Sequence, residues 1–149
     1  HYIQNMAIIY SYPNVTPLGE DFLIGSQKSS SNATKNFTVD SVVSAGLGYT
    51  AYAALISQSG TNAPTATALK NNTGYTYTWA RTGSGTYTIT ANGNAFTNNK
   101  TIVFMNLGEY AGGGVPRSVW TRTSDTVLTI TTGGDGRITN GSFEIRIYS

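Results

Sequence analysis

The chain has 149 residues, which suits a single domain of common size. Threonine, serine, asparagine and glycine fill close to half of the positions, which favours strands and turns over helices, while the 39% hydrophobic content excludes a disordered polar tract. The net charge is +2 and the basic residues are scattered singly along the chain, which argues against nucleic-acid binding. The absence of cysteine excludes disulfides, thiolate chemistry and cysteine-ligated metals.

Residues 1–48 have the composition of an extended arm. Short apolar clusters are separated by prolines and by a serine-rich stretch at 26–31, and none is long enough to build a core. Such clusters suit pairing with another chain or with the domain that follows. We predict that this arm anchors the protein through its apolar residues, namely Ile8, Ile9, Tyr10, Phe22, Leu23, Ile24, Phe37 and Val39.

One short helix is predicted near the end of the arm. Thr38 offers an N-cap oxygen, Asp40 places a negative charge in the first turn, and Gly46 can end the helix. Three valines between positions 39 and 43 share one face. At about two turns the helix is too short to be stable alone, so we expect tertiary contacts to hold it.

From residue 49 onward the pattern is β throughout, with short strand-like runs separated by turn signals at the spacing typical of sandwiches and barrels. The predicted strands are 49–57, 75–82, 86–91, 100–106, 118–123, 126–132 and 142–148, and the glycine-rich stretch 110–116 is predicted to be a mobile loop. We therefore predict an all-β fold, an antiparallel and jelly-roll-like β-sandwich over residues 49–149, preceded by the extended arm with its one short helix.

The strand predicted at 75–82 shows the clearest alternation of residue types. Aromatic residues occupy one face and threonines the other. An exposed aromatic row could stack on sugar rings, so a candidate ligand platform of a carbohydrate-binding module is formed by Tyr75, Tyr77, Trp79 and Trp120. A sandwich also needs large residues on one face of each strand, and we favour this core or interface role over the platform.

Catalytic chemistry finds little support in the sequence. The only histidine is His1, so a catalytic triad lacks a base in the rest of the chain. Glycoside hydrolysis needs two carboxylates across a cleft, and Asp125 or Glu109 could pair with Asp135. The two aspartates lie in turn sequences, where an aspartate stabilises the turn. We predict no catalytic, cofactor-binding or metal-binding residue and no enzyme activity.

Two parts of the sequence resemble segments of tailed-bacteriophage virion proteins. Residues 17–25 (PLGEDFLIG) and 34–39 (TKNFTV) resemble a phrase near the start of structural and fibre proteins of these phages, notably those of aquatic and Bacteroidetes hosts. Their C-terminal module is similar to residues 52–67 (YAALISQSGTNAPTAT), 77–83 (YTWARTG) and 142–148 (SFEIRIY). Those relatives often carry an acidic residue where this chain has Lys70.

The resemblance implies a virion component and not an enzyme. The expected role is a capsid decoration or short head-fibre protein that docks through its arm and projects its β domain, with a carbohydrate-binding module that recognises a host-surface glycan as the alternative. The expected partners are the major capsid protein or other virion subunits. Homotrimer formation and assembly into virions in the bacterial host cytoplasm are expected by analogy.

Nucleic acid is not an expected partner. Membrane insertion is not expected either, because apolar runs such as 6–9 and 102–105 are far shorter than the ~20 residues of a spanning helix.

Overall fold

The computed structural model describes residues 16–107 and 117–149. The chain divides into two compact units, which we call the N-terminal unit (His1–Gly46) and the C-terminal unit (Leu47–Ser149). Three sequence predictions lie outside the described residues: the anchoring role of Ile8, Ile9 and Tyr10, the loop at 110–116, and the candidate acid Glu109.

The N-terminal unit contains a β-hairpin that the sequence prediction of an extended arm did not include. Strand β1 (Phe22–Gln27) pairs antiparallel with strand β2 (Ala33–Thr38), and a short 3-10 turn (Lys28–Ser30) connects them. Ser31 and Asn32 both adopt a positive φ, at 54° and 60°, which reverses the chain direction. The apolar cluster in β1 therefore pairs with a strand of its own unit.

Helix α1 (Val39–Leu47) begins where the sequence predicted. The Ser41 N–H donates a hydrogen bond to Thr38 Oγ1 at 3.2 Å, which confirms Thr38 as the N-cap. The helix ends at Leu47, one residue beyond the predicted Gly46, and Gly48 follows with a φ of +68°. A glycine in this left-handed conformation is the common residue just after a helix end.

The C-terminal unit is an antiparallel β-sandwich of two four-stranded sheets, as the sequence predicted. Its strands are β3 (Tyr49–Ser57), β4 (Thr65–Asn71), β5 (Tyr77–Gly83), β6 (Thr86–Ala91), β7 (Thr101–Asn106), β8 (Ser118–Arg122), β9 (Val127–Thr132) and β10 (Gly141–Tyr148). Sheet I has the order β4-β3-β10-β7, and sheet II has the order β5-β6-β9-β8. All seven predicted strands are present, and β4 is an additional edge strand.

The core lies between the two sheets of the C-terminal unit. Its largest fully buried side chains are Tyr87, Phe96, Ile56, Ile89, Leu128, Ile130, Ile138 and Ile145. Trp79 of sheet II meets Phe143 of sheet I edge to face, with ring centroids 4.9 Å apart, and its indole N–H donates to Tyr52 Oη at 3.3 Å. Burial of one such large apolar side chain contributes about 1.5–3 kcal/mol, so this layer accounts for much of the stability.

Candidate functional site

The predicted aromatic platform is part of the core. Trp79 is only 6% exposed, and the Tyr77 ring lies 4.4 Å from the Tyr52 ring, centroid to centroid. Tyr75 and Trp120 are half-buried and pack against the same core. The sequence alternation was correct, but the aromatic face of β5 points towards sheet I while the threonine face is exposed. These four residues therefore do not form an exposed surface on which sugar rings could stack.

Asp135, one of the two candidate acids, serves as a cross-link between loops. Its carboxylate accepts hydrogen bonds from Arg81 Nε at 2.9 Å, Arg81 Nη2 at 2.8 Å and the Gly85 N–H at 3.0 Å. The Arg81 hydrogen bonds, with a further contribution from Gly85, hold the pKa of Asp135 well below its usual range. A carboxylate held in its ionised form cannot serve as a proton donor at neutral pH.

The Asp135 cross-link continues into the end of strand β3. The Tyr87 hydroxyl donates to Gln58 Oε1 at 2.7 Å, and the Gly136 N–H donates to the same oxygen at 3.1 Å. Burial is the largest cause of the raised pKa of Tyr87, so its hydroxyl stays protonated. This network joins the loops after β3, β5 and β9 at one end of the sandwich. Its hydrogen bonds hold these loops together, which is a structural role.

Asp125, the other candidate acid, is also engaged locally. Its carboxylate forms an ion pair with Arg122, three residues earlier in the chain. Arg122 also donates from Nε to the Phe96 carbonyl oxygen at 2.5 Å, so the pair fixes the turn between β8 and β9 against a neighbouring loop. Both aspartates have structural partners, as the turn interpretation of the sequence proposed.

Two further kinds of feature, metal-binding clusters and membrane-spanning helices, are absent from the part of the chain that the structure describes. Across residues 16–107 and 117–149, no cluster of three or more histidine, cysteine or acidic side chains is arranged to hold a metal ion. No helix in these ranges combines the length and apolar character needed to cross a bilayer.

The N-terminal unit exposes its apolar side chains. Phe22 and Ile24, two residues apart on one face of β1, are 68% and 78% exposed, and Leu23 is exposed on the other face. Phe37 and Val39 are half-buried, and the Phe37 ring packs across Gly25 so closely that a Cβ at this glycine would lie 3.2 Å from it. None of the residues 16–46 is buried. The predicted anchoring residues that the structure describes thus lie in a segment, residues 16–46, in which no side chain is buried.

A second apolar surface lies on the outside of sheet I. We call it the apolar outer face and define it by Leu55, Leu69, Ile102 and Phe104, all of which are exposed. A shallow groove of about 350 Å³ crosses it, lined in part by Ser142 and Glu144 of β10. Sequence analysis missed this surface. The available signal was the unbroken apolar runs 51–56 in β3 and 102–105 in β7, where a strand with one solvated face alternates.

Comparison of the chain with protein-family models, with curated proteins and with solved structures finds no match. The hairpin of the N-terminal unit and the outer face of sheet I both expose large apolar side chains, and exposed apolar surface is a common feature of sites that contact other macromolecules.

Proposed function

We propose that the protein is a structural component of a bacteriophage virion, either a capsid decoration protein or a short head-fibre protein. In this proposal residues 1–48 dock onto the major capsid protein or another virion subunit, and residues 49–149 project from the particle. The observation that carries the proposal is that residues 16–46 contain a hairpin and a helix with exposed apolar faces and no buried side chain.

A unit of this kind gains little from folding alone. Ordering each residue costs roughly 1–2 kcal/mol of backbone entropy, and burial of apolar surface is the main term that offsets it. Val42 and Val43 of α1 remain exposed, as do Phe22 and Ile24 of β1. Contact with a larger assembly would bury these side chains, and each of the largest would contribute about 1.5–3 kcal/mol.

The backbone of the hairpin offers a second means of docking. Among the described residues, β1 and β2 pair with each other and with no third strand. A two-stranded sheet is marginally stable in water, and each of its strands keeps one edge of unpaired N–H and C=O groups. A strand of a virion subunit could pair with such an edge, so that side-chain burial and main-chain hydrogen bonds act together.

The alternative function is a carbohydrate-binding module, and it was based on an exposed row of aromatic residues that the structure places against the core. Its ligand platform would require Trp79 and Tyr77 at the surface, and both pack between the sheets. Binding of the full chain to a panel of glycans would test this alternative directly. Specific binding that persists when the docking residues are changed would favour it over the virion role.

The virion role is tested by particle incorporation. Ile24→Asp places a charge on the exposed face of β1, and Thr78→Asp places the same charge on an exposed strand position of the C-terminal unit as the matched control. In phage that encode each variant, the copy number per purified particle is measured by quantitative mass spectrometry. We expect at least a ~10-fold loss for Ile24→Asp, because an unpaired charge buried at an interface costs several kcal/mol, and no loss for Thr78→Asp.

Two results would overturn this proposal. Purified particles that lack the wild-type chain would exclude a virion component. Normal incorporation of the Ile24→Asp variant would exclude docking through this face of the hairpin. Circular dichroism of the purified variants shows whether each has folded, and Ile24 is exposed enough that its replacement should leave the fold unchanged.

A further inference from the structure

The outer faces of the two sheets differ sharply in polarity. On sheet II the strand register places Thr88 beside Thr129 and Thr129 beside Thr121, and Thr78 lies beside Thr90 in the neighbouring strand pair. Threonine hydroxyls suit contact with water. On sheet I the corresponding positions hold the apolar outer face, where Leu69 is 66% and Phe104 is 48% exposed. The outer face of sheet II is thus lined mainly by threonine, whereas that of sheet I carries four large exposed apolar side chains among the described residues.

Two charges at the centre of the apolar outer face, those of Glu144 and Arg146, neutralise each other. Arg146 Nε donates to Glu144 Oε1 at 2.6 Å, and the Arg146 Cζ lies 4.7 Å from the ring centroids of both Tyr49 and Phe104. The guanidinium is thus held against two rings and beside its counter-ion. A surface that covers β10 does not need to supply a compensating charge, whereas Lys70 leaves a positive charge exposed on the edge strand β4.

The arrangement on β10 is also complementary to itself. Glu144 and Arg146 lie on either side of Ile145 along a central strand of the sheet. A two-fold axis between two such faces, crossing β10 at Ile145, sets Glu144 of one copy opposite Arg146 of the other. On the flanking strand β7, Phe104 of one copy then faces Ile102 of the other and Ile102 faces Phe104, as an isologous contact requires.

The size of the face bears on how tightly two copies can associate. Four strands about 4.8 Å apart and six residues of about 3.4 Å each give a face of about 20 Å by 20 Å, or ~400 Å² per copy in projection. Two faces together give ~800 Å², which is below the roughly 1,200 Å² of stable specific interfaces and in the range of weak, transient ones. Association is therefore expected at micromolar concentrations and not at nanomolar ones.

We propose that the apolar outer face is a self-association surface, on which a second copy of this chain packs face to face through sheet I. The contact would complete a stack of sheets in which the side chains of the two outer faces form a second apolar layer about 10 Å thick. This inference does not depend on the virion role, because it concerns the C-terminal unit and not the docking residues of the arm.

The test is the mass of the purified full-length chain in solution. Sedimentation or light scattering over roughly 1–100 μM covers the range in which an interface of this size assembles. We expect a dimer that dissociates at low concentration. Leu69→Asp should raise the dissociation constant at least ~10-fold, since it places an unpaired charge in the contact, whereas Thr78→Asp on the opposite face should leave it unchanged.

A third variant separates this surface from the N-terminal unit. Ile24→Asp adds the same charge to β1, and it should leave the dimer intact if sheet I forms the contact. A monomer at every concentration overturns the inference, as does an oligomer that Ile24→Asp dissociates and Leu69→Asp does not. Leu69 is largely exposed on an edge strand, so the variant should fold, which near-ultraviolet circular dichroism checks.

Distance measurement gives a second readout that does not depend on disrupting the contact. The chain has no cysteine, so Asn106→Cys provides a single site for a spin label at the rim of the apolar outer face. Thr90→Cys provides the matched site on the threonine face. The distance between labels on two copies should be much shorter for Asn106→Cys than for Thr90→Cys, and the reverse order would overturn the proposed orientation.

Discussion

In the C-terminal unit, alternating apolar side chains point into a space enclosed by two sheets, and Ile89, Leu128 and Ile145 are fully buried there. In the N-terminal unit, the alternating pair Phe22 and Ile24 points away from a two-stranded sheet that buries no side chain among residues 16–46. The same sequence pattern thus has two outcomes. Alternation shows that a strand has an apolar face, but the layer that covers this face can come from the same chain or from another molecule.

The largest expected effect is on the core of the C-terminal unit. Ile145→Ala removes a fully buried side chain from the central strand β10 and leaves a cavity, so the free energy of unfolding should fall by about 2–5 kcal/mol. Val119→Ala is the control, because Val119 is 60% exposed on the outer face of sheet II and lies outside the proposed contacts. Urea unfolding measures both variants, and equal losses would contradict the placement of the core between the sheets.

A second test concerns the backbone contact between the β5–β6 turn and the β9–β10 loop. Gly85 has a φ of +62°, and a Cβ there would lie 2.7 Å from both the Thr132 carbonyl oxygen and the Gly134 nitrogen. Gly85→Ala should therefore cost about 2–4 kcal/mol through strain and overlap. Gly60→Ala, at a φ of +56° with open space around it, should cost only about 1 kcal/mol. Similar losses in thermal unfolding would show that the close approach is absent.

A third test uses the pH dependence of stability. The pKa of Asp135 is lower in the folded chain than in the unfolded chain, mainly because of its hydrogen bonds from Arg81. Its ionised form therefore stabilises the fold above the unfolded pKa of ~3.9, and this stabilisation is lost as the pH falls through that value towards the folded pKa. The urea midpoint should fall on acidification below about pH 4.5, and less steeply in Asp135→Asn. If the urea midpoints of the wild-type chain and of Asp135→Asn fell in parallel with pH, this would argue against an ionised Asp135 in the cross-link.

The smallest expected effect distinguishes the N-terminal unit from the core. Ile24→Ala changes a side chain that is 78% exposed, so the free energy of unfolding of the purified chain should change by less than ~0.5 kcal/mol. The same change should weaken docking, which the incorporation assay measures. A loss of stability comparable with that of Ile145→Ala would mean that Ile24 is buried by the chain itself.

The strands that could be predicted from sequence are those with one buried face. In β5 and β10, aromatic or branched residues alternate with polar ones, and a period of two is a direct consequence of the pleat. The cap at Thr38 was also predictable, since a threonine oxygen before an apolar run satisfies a free N–H of the first helical turn. These features depend only on local geometry.

The features that sequence could not predict depend on partners. Every residue of β4 is exposed, so this edge strand has no buried apolar face to mark it in the sequence. The pairing of β1 with β2 depends on a turn at Ser31 and Asn32 that neither residue type requires. The apolar runs in β3 and β7 indicate strands without a solvated face, but Leu55 and Phe104 look the same in sequence whether their face is buried by the same chain or by a second copy. The sequence therefore does not show which molecule covers this face.

The position of β10 in sheet I has a consequence for how the protein is made. β10 is the last strand in chain order, yet it is central in the sheet, where β3 and β7 each pair with it and not with each other. During translation, sheet II can assemble as soon as β9 leaves the ribosome, while β3 and β7 must wait for residues 141–148. Nascent chains therefore expose Tyr52 and Val103 until residues 141–148 have emerged, which makes this interval the time when chaperone binding is most needed.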